Sequence, residues 1–156
     1  MAASTVDGLS LLRCGAEDSE YVHARLIEYN TNYMTDDERL RYCLKDDSGQ
    51  IMGGVVATKN HECMAVDFLW VDASIRGKGY GTRLLSLVEA AARDEGCVVI
   101  WLSTFGFQAP EFYVKLGYEL FGVLEKCVNG YTQYFFRKDP GTTATSSGNS
   151  PPRSSH

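Results

Sequence analysis

Six residues in the middle of the chain, Arg76-Gly77-Lys78-Gly79-Tyr80-Gly81, interleave three glycines with two cations. Glycines let a ligand approach the backbone closely. A β-rich run, residues 63–71, precedes the segment, and a helical apolar pattern of Leu84, Leu85, Val88, Ala91 and Ala92 follows it. The loop therefore opens a helix, whose free N–H groups and dipole favour an anion. Arg76, Lys78 and Arg83 add positive charge. The chemistry suggested is the holding of a phosphate or pyrophosphate; the competing reading is a glycine-rich turn that only ends a strand. Two common phosphate loops do not fit. A P-loop closes on Gly-Lys-Ser or Gly-Lys-Thr, and neither occurs here. A dinucleotide fingerprint reads G-x-G-x-x-G, whereas Gly77, Gly79 and Gly81 are spaced G-x-G-x-G. Its acidic residue at the end of the second strand is replaced by Ser103-Thr104.

Asp67 is a second residue with chemical interest. It stands inside the apolar run Met64-Ala65-Val66-Asp67-Phe68-Leu69-Trp70-Val71, where a lone carboxylate needs a partner or a purpose. Strict strand alternation puts Asp67 on a face with Ala65, Leu69 and Val71, and Glu62 with Met64 and Trp70. The five cysteines are odd in number and form no C-x-x-C pair. Four have apolar or β-branched neighbours, which predicts reduced, buried thiols and an intracellular setting. His61 and Cys63 are two apart, but nothing nearby completes a zinc set, so no metal is expected.

The elements that position these residues belong to a chain of 156 residues, 44% hydrophobic and 22% charged. That excludes collagen-like, coiled-coil and wholly disordered chains. A net charge of -5 argues against sequence-independent nucleic-acid binding. Residues 1–10 carry no secretory signal and no stretch is long enough to cross a membrane, so the expectation is a cytoplasmic protein without a membrane partner. Residues 139–156 are nearly devoid of side chains that can be buried and read as a flexible tail. One domain is expected over residues 5–138.

Within it, residues 18–32 read as a helix with Tyr21, Val22, Leu26, Ile27 and Tyr29 on its apolar face. A shorter helix is expected from Thr35, with Asp36, Asp37 and Glu38 in its first turn. Residues 41–45 and 51–59 form a hairpin through Asp46-Asp47-Ser48-Gly49. A strand over 63–71 leads into the glycine loop and its helix, which Gly96 stops. The apolar run 97–102 predicts a strand buried on both faces. Residues 109–116 read as a helix ended by Gly117, and 118–124 and 131–137 as strands joined through Asn129-Gly130.

Arg76-Gly77-Lys78-Gly79-Tyr80-Gly81 matches the R/Q-x-x-G-x-G/A signature of the GNAT superfamily of N-acetyltransferases. A second segment, Ala109-Pro110-Glu111-Phe112-Tyr113-Val114-Lys115-Leu116-Gly117-Tyr118, resembles that family's A-x-x-F-Y-x-K-x-G-F/Y. The resemblance is clear over residues 62–122, and the order of elements over 9–60 is compatible. It implies an α/β fold: a mixed, mostly antiparallel sheet with flanking helices and a splayed parallel strand pair that binds acetyl-CoA.

What the resemblance implies about roles follows residue by residue. The CoA pyrophosphate falls to Arg76, Gly77, Lys78, Gly79, Tyr80, Gly81 and Thr82. The pantetheine arm pairs with the backbone of Leu69, Trp70 and Val71; the side chains of Leu69 and Val71 otherwise read as core. Where many relatives have an Asn, Gly106 stands here, and Gln108 is the nearest residue for that cofactor contact. Tyr113 occupies the position of a general acid that protonates the CoA sulfur, or else packs its ring. A backbone N–H of the splayed strand is the oxyanion donor. Asp67 and Glu62 are the candidate bases, and Asp67 is also a candidate for binding the acceptor. The acceptor pocket falls to Tyr29, Asn30, Asn32, Tyr33 and Met34, and to residues 125–131, where ring faces and carboxylates suit a cationic amine. The implied activity is acetyl-CoA-dependent N-acetylation of a primary amine on a small molecule. A protein or peptide N-acetyltransferase and a non-catalytic acyl-CoA-binding module are the alternatives. Homodimerisation through the last strands is left open.

Overall fold

The computed structural model describes residues 4–35 and 37–141. These fall into two units divided at Asp36/Asp37. In the first, a small hairpin pairs β1 (Ser4–Val6) with β2 (Leu9–Leu11), and α1 (Ala16–Asn30) follows. The sequence reading missed the hairpin, whose turn signal is Asp7-Gly8, both with positive φ. Gly15 caps α1, and its N–H donates to Asp18 Oδ2 at 3.4 Å. The rings of Tyr29 and Tyr33 lie 5.5 Å apart, tilted at 47°.

The second unit holds a six-stranded sheet: β3 (Glu38–Lys45), β4 (Ile51–Asn60), β5 (Cys63–Val71), β6 (Val99–Phe105), β7 (Glu119–Val128) and β8 (Tyr131–Lys138). The spatial order is β3-β4-β5-β6-β8-β7, antiparallel throughout except for the β5–β6 pair. The helices are α2 (Tyr80–Asp94) and the short α3 (Glu111–Lys115). The expected mixed sheet with its single parallel pair is present. The β3–β4 turn is held by Asp46, whose Oδ1 accepts from Ser48 N, Ser48 Oγ and Gln50 N at 2.9, 2.6 and 3.0 Å. Those bonds, Ser48 first, hold its carboxyl below the usual range. The core lies between α2 and one face of the sheet. Leu84, Leu85, Val88 and Ala92 pack against Val55, Ala57, Met64, Val66, Ile100, Leu102 and Phe136. Each large side chain there contributes roughly 1.5–3 kcal/mol relative to exposure.

Three expectations are corrected. No helix starts at Thr35: residues 31–33 turn and β3 begins at Glu38, because pairing with β4 from Glu38↔Lys59 onward outweighs the acidic helix-start signal (Asp36 lies outside the described residues). β6 starts at Val99 rather than Cys97 and is buried on one side only: Ile100, Leu102 and Thr104 are buried while Trp101 and Ser103 are exposed. An unbroken apolar run conceals which of its two faces is covered. Only Cys97 among the cysteines is buried; Cys14, Cys43 and Cys127 are exposed. An apolar sequence neighbour in a strand points to the opposite face and gives no burial to the cysteine itself.

Residues 142–156, most of the expected tail, lie outside the described residues. At its start Pro140 is buried, and its carbonyl accepts from Arg93 Nε at 3.0 Å. Among the described residues no helix is long and apolar enough to cross a membrane.

Candidate active site

β5 and β6 are bridged over only three pairs, Cys63↔Val99, Met64↔Ile100 and Ala65↔Trp101. Beyond them β6 continues along β8 to Phe105↔Gln133, and β5 continues along β4 to Val71↔Gly53. The two strands part, and among the described residues no strand pairs with one backbone edge of residues 66–71. The cause is visible in the β4–β5 register. Val56 faces Phe68 and Ala57 faces Val66, so Asp67 is the extra residue of a β-bulge. A bulge bends its strand and leaves one residue unpaired.

The bulge also corrects the expected alternation. Met64 and Val66 enter the core before it, and Leu69 and Val71 pack against the same core after it. Ala65 and Leu69 therefore lie on opposite faces, as do Met64 and exposed Trp70. One inserted residue reverses the two-residue period. Asp67 is exposed at the parting point, and Thr58 Oγ1 donates to its Oδ2 at 2.6 Å. Glu62 lies at the other, closed end, where its carbonyl accepts from Val98 N at 2.7 Å. The structure thus brings Asp67, and not Glu62, to the opening. Sequence reasoning missed Thr58, because only the β4–β5 register shows it beside Asp67.

At the far end of β5 the chain turns through residues 72–79 into α2. Asp72 Oδ1 accepts from Ser74 N at 2.9 Å and Ser74 Oγ at 2.6 Å, and these bonds followed by Arg76 hold its carboxyl below the usual range. Arg76 Nε donates to the Val71 carbonyl at 2.9 Å, which ties the loop back to the strand end. Gly77 and Gly79 have φ of 75° and 82°. A Cβ on either meets nothing within 4 Å, so glycine is required there by backbone conformation and not by crowding. Gly79 is the N-cap of α2 and supplies no side-chain cap; Arg83 N donates to its carbonyl at 3.1 Å. The N–H groups of the first turn are left to a ligand or water. Lys78 is exposed beside them, and the Arg83 guanidinium lies 6.0 Å from the Tyr80 ring centre. Gly81 is close-packed instead. A Cβ there would stand 3.3 Å from Phe112 Cζ, so the Phe112 ring on α3 would have to give by a few tenths of an ångström.

Tyr113 projects from α3 with 9% exposure, its ring 5.1 Å from Phe112 and 5.9 Å from both Tyr118 and Phe136. Burial pushes its phenol above the ordinary value of 10.0, which keeps it protonated and able to donate. Gln108 folds back on the end of β6: its Oε1 accepts from Phe105 N at 2.9 Å and from Thr104 Oγ1 at 3.5 Å. Among the described residues no three His, Cys, Asp or Glu side chains gather as a metal set. Tyr29 and Tyr33 belong to the first unit.

Comparison with known proteins agrees with this geometry. Residues 9–118 match the acetyltransferase (GNAT) family. Blasticidin-S acetyltransferase of Streptomyces morookaense is 40% identical over 92 residues, 58% of this chain and 68% of that protein. The crystal structure of an acetyltransferase from Bacillus cereus superposes with a TM-score of 0.75 at 40% identity, covering 83% of this chain and 96% of the other. A Bacillus anthracis acetyltransferase solved in complex with acetyl coenzyme A shares the fold at 22% identity and a TM-score of 0.59, covering 70% and 66%. With the family signature spanning the glycine loop, the parted strands and Tyr113, the chain belongs to the acetyltransferase (GNAT) family and is an acetyl-CoA-dependent N-acetyltransferase.

Proposed function

We propose that this enzyme acetylates a primary amine on a small, cationic molecule by direct attack of the amine on the thioester. The observation that carries the reading is the parting of β5 from β6 beyond Ala65 and Trp101, with the Gly77–Gly79 loop at the end of the same strand. Acetyl-CoA presents a pyrophosphate and an amide-bearing arm. The first-turn N–H groups of α2, with Lys78 and the backbone of residues 76–82, suit the pyrophosphate. The unpaired edge of Leu69, Trp70 and Val71 suits the arm, because backbone amides satisfy amides.

Bound there, acetyl-CoA supplies an activated acyl carbon. The chain must take a proton from the amine, offer a donor where negative charge develops on oxygen, and provide a proton for the departing sulfur. Asp67, oriented by Thr58, suits the first role directly or through water. A backbone N–H of the parted strand, at the bulge where Asp67 drops out of the β4 pairing, suits the second. Tyr113 suits the third, since its buried phenol keeps its proton. A loss of turnover from its ionisation then falls above the ordinary tyrosine value of 10.0. The acceptor is read as small because a 40%-identical relative carries blasticidin S in its name. Tyr29 and Tyr33 are proposed acceptor contacts, and the enzyme is read as cytoplasmic.

Thiol release with acetyl-CoA is the test, run against blasticidin S, aminoglycosides, polyamines, amino acids and peptides. Turnover with a small amine supports the reading. Turnover with peptides alone assigns a peptide acetyltransferase, and tight acetyl-CoA binding without turnover on any acceptor assigns a binding module. Tyr113→Phe lowers kcat about 100-fold if the phenol is the acid; wild-type turnover removes it from that role.

A further inference from the structure

Tyr113 rides on a helix of five residues, Glu111–Lys115. A helix this short cannot hold itself in water. Its C-terminal end is where it is held. Gly117, at φ 86°, turns the chain out of the helix, and its N–H donates to the Val114 carbonyl at 3.1 Å. Tyr118 N then donates to the carbonyl of Tyr113 itself at 3.0 Å. The Tyr118 ring stands edge-on to Tyr113, at 77° and 5.9 Å, the side-chain contact that accompanies this type of helix stop. Tyr118 is thus bonded and packed to Tyr113 at once.

Tyr118 is in turn fixed from two distant elements. It is only 3% exposed, and its hydroxyl donates to Glu89 Oε1 on α2 at 3.0 Å. Lys138, the last residue of β8, donates to Glu89 Oε1 and Oε2 at 3.1 and 3.2 Å. The same ammonium donates to the Leu116 carbonyl at 2.8 Å and lies 5.3 Å from the Tyr118 ring centre. Lys138 therefore joins α2, the exit of α3 and the end of the sheet through one nitrogen. Burial, followed by the neighbouring Glu89 carboxylate, raises the Tyr118 phenol, so it stays a donor to Glu89.

Stability alone is a poor reason for this arrangement. A half-buried ion pair adds little over an apolar group of similar volume, because both charges lose water. What an apolar replacement cannot do is hold the Leu116 carbonyl and the Tyr118 hydroxyl in fixed directions. We propose that Lys138 and Glu89 are positioning residues for acetyl transfer: by clamping Tyr118 and the end of α3 they fix the direction of the Tyr113 hydroxyl. The proposal rests on the reading of Tyr113 as the acid. The clamp's hydrogen bonds run among Glu89, Tyr118, Lys138 and the Leu116 carbonyl, away from the residues proposed for the pyrophosphate, so acetyl-CoA affinity is expected to survive its loss.

The test is kinetic coupling in the full-length protein, with acetyl-CoA affinity measured by calorimetry. Lys138→Met lowers kcat about tenfold while the Kd for acetyl-CoA stays within about twofold. In a Tyr113→Phe background the same change lowers kcat by less than about twofold, since no acid remains to misplace. Lys138→Arg, which keeps a charged donor, recovers most of the loss. If Lys138→Met does not fold, Glu89→Gln shows the same coupling, because it keeps an acceptor for Tyr118 and weakens only the hold on Lys138. Equal losses in both backgrounds, or a weakened Kd at unchanged kcat, overturn the clamp. Tyr113→Phe slow beside a fully active Lys138→Met overturns the clamp alone. Tyr113→Phe at wild-type turnover overturns the acid reading and the clamp with it.

Discussion

At its N-terminus α2 starts from Gly79, and at its C-terminus it stops at Gly96; both glycines are left-handed, at φ 82° and 74°. The C-terminal end is closed on itself. Gly96 N donates to the Arg93 carbonyl at 3.2 Å, Cys97 N donates to the Ala92 carbonyl at 2.8 Å, and Cys97 is buried. Glu95 is further tied to Lys59 at 3.3 Å, a bond that leads the causes raising the Lys59 pKa. The N-terminal end has no such closure. Gly79 brings no capping side chain, space lies beside it, and exposed Lys78 precedes it. The same residue type at two ends of one helix thus closes one end on the chain and leaves the other open, the end proposed to hold acetyl-CoA. What separates them is whether the orphan backbone groups are satisfied from within the chain.

Substitutions that hit one end and spare the other sharpen or break this contrast. The largest effect belongs to Gly79→Asp. Aspartate caps helices and tolerates the left-handed region, so the fold survives and the added charge is what changes. Acetyl-CoA affinity falls more than about 100-fold from like-charge repulsion, with little change in Tm; affinity retained in calorimetry would remove the loop from the pyrophosphate. Next is Leu85→Ala, at a fully buried position in the middle of α2. Chemical denaturation shows a loss of about 2–5 kcal/mol, and the Kd for acetyl-CoA measured well below the melting point is unchanged. Gly96→Ala costs about 1–2 kcal/mol through its left-handed backbone and leaves KM alone; a raised KM for acetyl-CoA would show that the closed end reaches the site. The smallest effect is Lys78→Ala. Affinity falls about threefold at low salt and converges with wild type at high salt, as screening of an exposed charge requires. A salt-independent loss would mean that Lys78 acts through the loop's shape.

The glycine loop and α3 were legible because their signals are local. Glycine spacing, a helix-stop glycine and the run Phe112-Tyr113 are properties of short windows. The Asp67 bulge was not legible, although it sits in the most strongly patterned strand. Alternation read from sequence assumes an unbroken period, and the inserted residue shows itself only against β4. The Thr58 partner of Asp67 was hidden for the same reason. Glu89 on α2, Tyr118 in the connection after α3 and Lys138 on β8 carry no shared sequence signature, so their network was invisible as well.

By itself the sequence determined the order of the main strands and helices, the glycine-rich, cationic character of the loop after β5 and the two segments that mark the family. Hydrophobic period, glycine placement and charge act over a few residues, and a linear reading captures them. Only the tertiary structure decided where β5 leaves β6, which carboxylate stands at that opening, and what holds Tyr113. Each depends on register or contact between residues far apart in the chain, and those are set by the packing of α2 against the sheet.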